Sequence, residues 1–301
     1  ATLAPMAAEA TPQPVPYLKG MPIFGVVPEI RKDPLPWFLR TAIEHGPIVR
    51  LKMGPFDYYL LSDPAYARHV LQENQTNYEK SPFYVKLWPV FGQGLVTSEG
   101  STWRSHRRTI QPSFRQKRLA SFCAAMIEEA QGMCDAWAAR GEGVEVELVD
   151  EMTSVVERIL LRVIFGADLI DKIMADETLV DDFVFLNDEI GKRFFALSDL
   201  PEKLPFPRTL RFNRARERRV KMVDEMIAHR RAHPGEDDML TALLEARDEE
   251  TGEGLTDVEL RDEVLTMFFA GHETTALALA WFWWALGNHP SVLETCLLYT
   301  S

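Results

Sequence analysis

The chain has 301 residues, 46% hydrophobic and 26% charged, enough for one large or two medium globular domains with a sizeable core. Its formal net charge of -12 at pH 7 excludes a protein organised around nucleic-acid phosphates, whose surface would carry a basic excess. Three scattered cysteines, Cys123, Cys134 and Cys296, exclude a disulfide framework or a four-ligand zinc site.

Residues 1–16 are rich in Ala, Pro, Thr and Gln and predict a flexible tail. They lack the basic start of a secretory signal, and no apolar run reaches the roughly 18 residues of a membrane span, so a cytoplasmic protein without a membrane span is expected. Two apolar runs, Ile48 to Met53 and Phe56 to Leu61, are separated by Gly54 and Pro55 and predict a β-hairpin. Helical periodicity follows. Leu119, Cys123, Met126, Ile127, Ala130 and Cys134 recur at three- and four-residue steps with Phe122, Met133 and Trp137, predicting an amphipathic helix over 117–140 that stops near Gly141. Cys123 and Cys134 share a face of that helix about 16 Å apart, beyond disulfide reach, and are expected to fill the core. A second helix is predicted from Leu148 to Phe165, stopped by Gly166, and a third over 178–197 before a proline-broken loop. A basic helix from Thr209 to Arg231 should turn Val220, Val223, Met226 and Ile227 inward, and a short helix should span 237–247. The last element opens on a capping box, Thr256 with Glu259, and stops at Gly287, Asn288 and Pro290, a helix of about thirty residues and roughly 45 Å.

Around Ala270 this long helix is apolar on nearly every side, the pattern of a helix enclosed by protein. Buried polar groups then need partners, and His272, Glu273, Thr274 and Thr275 stand in the middle of it. Gly271 costs about 1 kcal/mol relative to alanine in a helix interior, and its missing Cβ admits close approach of a flat group or of another helix. Thr274 can bond back toward the carbonyl of Ala270, a contact that bends helices. A distorted turn facing a cavity is expected; close packing of a neighbouring helix is the alternative. Zinc is excluded, because a second histidine would be needed at position 276, which is Ala276.

Ala270 to Thr275, "AGHETT", resembles the oxygen-binding signature in the long central helix of the haem-thiolate monooxygenases, the cytochrome P-450 family. "GQGLVTSEGSTWRSHRRTIQPSF", Gly92 to Phe114, is similar to the family segment leading into the helix that contacts the haem propionates, with Trp103 and Arg107 in its Trp-x-x-x-Arg positions. That pair lies one helical turn apart, and an indole N–H and a guanidinium both suit a carboxylate. "PVPYLKGMPIFG" and the hairpin resemble the family's N-terminal region. The resemblance covers Pro14 to Glu294 and implies a mainly α fold with a small N-terminal β region, a single domain over 17–294 truncated after the long central helix.

The resemblance further implies haem b as cofactor, O2 as cosubstrate, and electrons ultimately from NAD(P)H through a ferredoxin, a flavodoxin-like donor or a reductase. The substrate would be a hydrophobic small molecule such as a fatty acid, alkane or terpenoid. Carried over position by position, Thr274 would stabilise protonation of bound oxygen and Glu273 would relay protons. Ala270 and Gly271 would leave room beside the porphyrin, while Trp103 and Arg107 would hold its propionates. Leu95 and Val96 would hang over the haem, and Phe269 would face the substrate. Phe83, Leu87, Trp88 and Phe91 read either as channel lining or as core. The basic residues from Arg104 to Arg118 read as a solvated helix face or as a docking patch for an acidic electron donor. The family's Glu-x-x-Arg helix and cysteine-ligand loop do not appear in the chain, and Cys296 lacks the glycine-rich surroundings of the ligand, so no metal ligand is assigned. Thr295 to Ser301 depart from the family pattern and read as a non-native tail. Without the thiolate that drives O–O cleavage these residues are expected to be inactive alone. The competing reading is a non-catalytic helical binding or scaffold protein that keeps the distal half of the fold; a nucleic-acid role for the basic helix Arg208 to Arg219 is opposed by Glu217, Asp237 and Asp238.

Overall fold

The structure, a computed structural model, describes residues 14–174, 176–194, 204–234 and 237–300. Most of the expected N-terminal tail, the end of the third helix and most of the loop after it lie outside the described residues. The chain divides into two compact units, up to Glu79 and from Lys80 onward.

In the first unit β1 (Tyr17–Leu18) is followed by α1 (Val27–Lys32), α2 (Pro34–His45), β2 (Ile48–Met53), β3 (Phe56–Leu61) and α3 (Pro64–Arg68). The hairpin has the predicted bounds, with Met53 opposite Phe56 across Gly54, whose φ of 59° suits the tight turn. β1 joins it in parallel, Tyr17 beside Arg50, giving the order β1-β2-β3. Two residues are too few for an alternation to be read from sequence, so this strand was not foreseen. Val26, Trp37, Val49 and Leu51 form the core of this unit.

The second unit is helical: α4 (Trp88–Phe91), α5 (Gly100–Ile110), α6 (Gln116–Arg140), α7 (Leu148–Phe165), α8 (Ala167–Met174), α9 (Glu177–Phe194), α10 (Pro207–Ala232), α11 (Met239–Glu245), α12 (Asp257–Asn288) and α13 (Pro290–Thr300). α12 opens on the predicted capping box and runs 32 residues. Its first half carries Leu260, Val264, Leu265 and Phe268 into a core shared with Leu161, Ile164 and Phe165 of α7 and Val223 and Ile227 of α10. Farther along, Ala276 and Ala280 meet Met152, Val155 and Val156 of α7. α7 ends at Gly166, whose φ is 84°. There a fully buried Arg230 donates to the Phe165 carbonyl at 2.6 Å and to Asp168 at 2.8 Å, and meets Asp238 at 2.7 Å, tying together α7, α8, α10 and the N-cap of α11.

Three sequence expectations are corrected. α12 is enclosed only over its first half: Trp281 is 64% exposed, and Phe282, Trp283 and Trp284 are exposed with it, while Ala276 and Ala280 on the other side pack against α7. α12 also runs as an unbroken α-helix through Gly271, with the Thr274 hydroxyl donating to the Ala270 carbonyl at 2.6 Å. In α6 the expected Phe122, Met133 and Trp137 do pack, joined by Ala125 and Glu129, but the stripe is narrower than expected. Glu129, bound to Arg158 at 2.8 Å and Arg162 at 3.0 Å on α7, takes a place on the packed side where an apolar residue was expected. Leu119, Met126, Ile127, Cys123 and Cys134 are exposed, and the two cysteines are not core fillers. Val220 is half-buried and lines a groove of about 800 Å³ with Trp88, Val258 and Leu265. Thr295 to Thr300 continue α13.

Candidate functional site

Glu259, Glu263, Ala270 and Thr274 are spaced by four, seven and four residues and therefore lie along one face of α12. On the first part of that face sits the loop Gly92–Ser98. Gly92 and Gly94 let it lie flat: a Cβ on Gly92 would fall 2.0 Å from the Asp262 carboxylate, and one on Gly94 would fall 2.3 Å from Thr266 Oγ1. The Gln93 N–H donates to Asp262 at 2.8 Å and the Leu95 N–H to Glu263 at 3.1 Å, while Lys80 Nζ donates to the carbonyls of Leu95 at 3.0 Å and Ser98 at 2.6 Å. Leu95 is half-buried against the main core; Val96 is exposed.

α5 reaches the same face through His106, whose Nδ1 donates to Glu263 at 2.8 Å and whose Nε2 lies 3.3 Å from Glu259. The Glu263 carboxylate outweighs burial and raises His106 above the ordinary histidine value. One turn apart on α5, the Arg107 guanidinium lies 5.4 Å over the Trp103 ring. Arg107 is exposed and has no carboxylate partner among the described residues, whereas its neighbour Arg108 is bound to Asp248 at 3.0 Å and Glu250 at 2.8 Å. Asp248 is held well below the usual carboxylate range by Arg108, the Glu250 N–H and Ser105. A guanidinium stacked on an indole is a ready donor to an external carboxylate, and this is the feature of the structure that fits a haem edge. The basic run is otherwise partly neutralised, since Arg115 lies 3.7 Å from Glu249 and Arg118 lies 3.2 Å from Asp237.

On the second part of the face Ala270, Glu273, Thr274 and Thr275 are exposed. With its proton on the Ala270 carbonyl, the Thr274 oxygen presents lone pairs outward. Glu273 has no cation partner among the described residues. His272 is buried and stacked on Phe268 at 5.7 Å, its pKa lowered by burial, with no described hydrogen-bond partner at either nitrogen. For Gly271 the sequence left two alternatives, and close helix packing is realised: a Cβ there would lie 2.9 Å from Leu160 Cδ2 of α7. Phe269 packs on Phe91 at 4.5 Å, beside buried Leu87 and Val90, so these residues form a small core of their own. Cys123 and Cys134 are exposed on α6, and Cys296 lies on helix α13 rather than in a loop.

Sequence reasoning singled out Trp103, Arg107, Ala270 and Thr274 and missed Glu263, His106 and Lys80. The available signal was the Asp262-Glu263 pair set among Leu260, Val264 and Leu265, a charged pair in an otherwise buried stretch.

Ala270 and Thr274 are thus exposed on the long helix α12, and Trp103 and Arg107 stand on α5, which is joined to α12 through His106 and Glu263. A family profile described as cytochrome P-450 matches residues 15–297. A cyclooctat-9-en-7-ol 5-monooxygenase of Streptomyces melanosporofaciens is 34% identical over 277 residues, 90% of this chain and 58% of that protein. A cyclooctatin synthase of the same organism is 32% identical over 273 residues, with the same shares of 90% and 58%. The crystal structure of cytochrome P-450DA heme domain matches with a TM-score of 0.78 and 26% identity, covering 94% of this chain and 62% of that one. The chain belongs to the cytochrome P-450 family, and it spans 58% of the length of these two curated relatives.

Proposed function

We propose that the protein acts as a haem-dependent monooxygenase that hydroxylates a hydrophobic small molecule. The observation that carries this reading is the outward-facing Thr274 oxygen beside exposed Ala270, on the face of α12 that also receives the helix bearing Trp103 and Arg107. When bound, haem supplies the oxidising power that places one atom of dioxygen in a C–H bond and releases the other as water. Trp103 and Arg107 hold its propionates through N–H donors. The methyl of Ala270 leaves the flat ring space against α12. Thr274 Oγ1 accepts a hydrogen bond from a protonated group placed there, and the Glu273 carboxylate moves protons from solvent to that point. Leu95 and Val96 give the substrate an apolar margin.

The relatives' names support a terpenoid as substrate, within the wider class of fatty acids, alkanes and terpenoids. Electrons come ultimately from NAD(P)H through a ferredoxin, flavodoxin-like donor or reductase, and Arg104 and Lys117 are the basic residues of α5 and α6 that remain to receive an acidic donor. No described helix is long and apolar enough to cross a membrane, which supports a cytoplasmic setting. Cys123, Cys134 and Cys296 all lie on helices, and none is assigned as the thiolate that haem would need. Reading the source DNA onward from the codon for Glu294 separates this proposal from the scaffold reading: an in-frame Glu-x-x-Arg helix and cysteine loop support it, and a stop codon in their place overturns it. In the enzyme expressed from that frame, Thr274→Ala should raise peroxide released per electron pair and lower product. Unchanged coupling removes Thr274 from its role.

A further inference from the structure

Glu263 has 0% exposure and lies between Asp262 and Val264 in the most enclosed part of α12. A carboxylate so placed remains charged only where donors replace water. Two do, and they come from different elements. The Leu95 N–H at 3.1 Å belongs to the loop that carries Leu95 and Val96, and His106 Nδ1 at 2.8 Å belongs to the helix that carries Trp103 and Arg107. His106 follows Trp103 by three residues and precedes Arg107 by one, so a fixed imidazole sets the rotation of α5 about its own axis. The second nitrogen of that ring is taken by Glu259 at 3.3 Å, and Glu259 is itself held by the Thr256 N–H at 2.8 Å in the cap of α12. From the loop side Lys80 closes the group by donating to the Leu95 and Ser98 carbonyls, and Glu99 accepts from the Lys80 N–H at 2.7 Å. The charges facing the imidazole are therefore Glu263, Glu259 and Asp262 from α12, balanced by His106 itself and by Lys80.

We propose that Glu263 is a positioning residue: through His106 and the Leu95 N–H it clamps α5 and the Gly92–Ser98 loop onto α12, and so sets where Trp103, Arg107, Leu95 and Val96 stand relative to Ala270 and Thr274. The proposal rests on the monooxygenase reading. Glu263 touches neither cofactor nor substrate; its loss lets α5 turn and the loop lift, and the cofactor's edge is held less well.

The test uses the 301-residue chain with 15N-labelled histidine, the His106 signals being assigned with His106→Gln. Both His106 nitrogens should be protonated at neutral pH, with a titration midpoint above the ordinary value of about 6.5, dropping to or below it in Glu263→Leu. In that variant the Leu95 amide should exchange about tenfold faster or more, and affinity for added ferric haem should fall by about tenfold, the same loss expected of Arg107→Ala. An ordinary His106 midpoint in the wild type, or unchanged Leu95 exchange in the variant, overturns the clamp. Haem affinity unchanged in Glu263→Leu but weakened in Arg107→Ala overturns the positioning role while sparing the monooxygenase reading. Affinity unchanged in both variants fells that reading and the proposal with it. Should Glu263→Leu not fold, His106→Gln cuts the clamp from the α5 side and carries the exchange and haem readouts in its place.

Discussion

Replacing Gly94 by alanine puts a methyl where the structure has no room for one. The new Cβ would sit 2.3 Å from Thr266 Oγ1, 2.8 Å from the Asp262 backbone carbonyl and 3.1 Å from Thr266 Cβ. The backbone contact cannot be relieved by a rotamer, so the loop must lift from α12. Overpacking of this kind costs about 1–3 kcal/mol. Lifting also lengthens the Leu95 N–H bond to Glu263, a hydrogen bond to a charged group worth about 1.5–3 kcal/mol. Since the two losses share one displacement, about 2–4 kcal/mol is expected in total. Urea unfolding at neutral pH should show a lowered midpoint with unchanged slope. Thr266→Ala provides the internal check. Its hydroxyl is buried without a hydrogen-bond partner among the described residues, so removing it alone should cost under about 1 kcal/mol. Combined with Gly94→Ala it clears the worst contact but leaves the Asp262 carbonyl, so the pair should recover about 1–2 kcal/mol relative to additivity. A neutral Gly94→Ala, or a double variant additive within about 0.5 kcal/mol, would refute the packing argument.

Gly166→Ala should cost about 2 kcal/mol or more, because φ is 84° and a Cβ would meet the Arg230 guanidinium at 2.7 Å and the Asp168 and Asp238 carboxylates at 2.9 Å; a melting temperature equal to wild type would contradict this. His106 has a folded-state value raised by Glu263, so its contribution to stability is complete below about pH 6.5 and disappears as pH rises through the raised value. Unfolding midpoints followed upward from pH 6 should fall in the wild type, and that alkaline limb should flatten in His106→Gln; a limb unchanged by the substitution would show that another group titrates there.

What could be read from sequence was local. The hairpin bounds, the stop of α7 at Gly166 and the Thr256-Glu259 cap each depend on residues within a few positions of one another, and each stands in the structure where the pattern put it. α6 shows the limit: its pattern of apolar residues was correctly helical, but Glu129 occupies the packed face because Arg158 and Arg162 across the interface neutralise it, and those partners lie far along the chain. The candidate site divides the same way. Trp103 with Arg107 and Ala270 with Thr274 are pairs within one helix and were legible. The join between them is His106 with Glu263, residues 157 positions apart, and no periodicity encodes such a contact. Gly271 was ambiguous for a physical reason, since a missing Cβ serves a ligand and a helix equally, and Leu160 is the neighbour that fills the space.

The central claim is that α5 offers Trp103 and Arg107 as donors to the carboxylates of a flat cofactor lying against Ala270 and Thr274. Calorimetric titration of the chain with ferric protoporphyrin IX and with its propionate dimethyl ester tests it most directly. The account predicts that esterification weakens binding to the wild type by about tenfold or more, about 1.4 kcal/mol, and that Arg107→Ala loses the same amount for the free acid but nothing further for the ester. Equal affinities for acid and ester, or an Arg107→Ala chain that still discriminates between them, would contradict it.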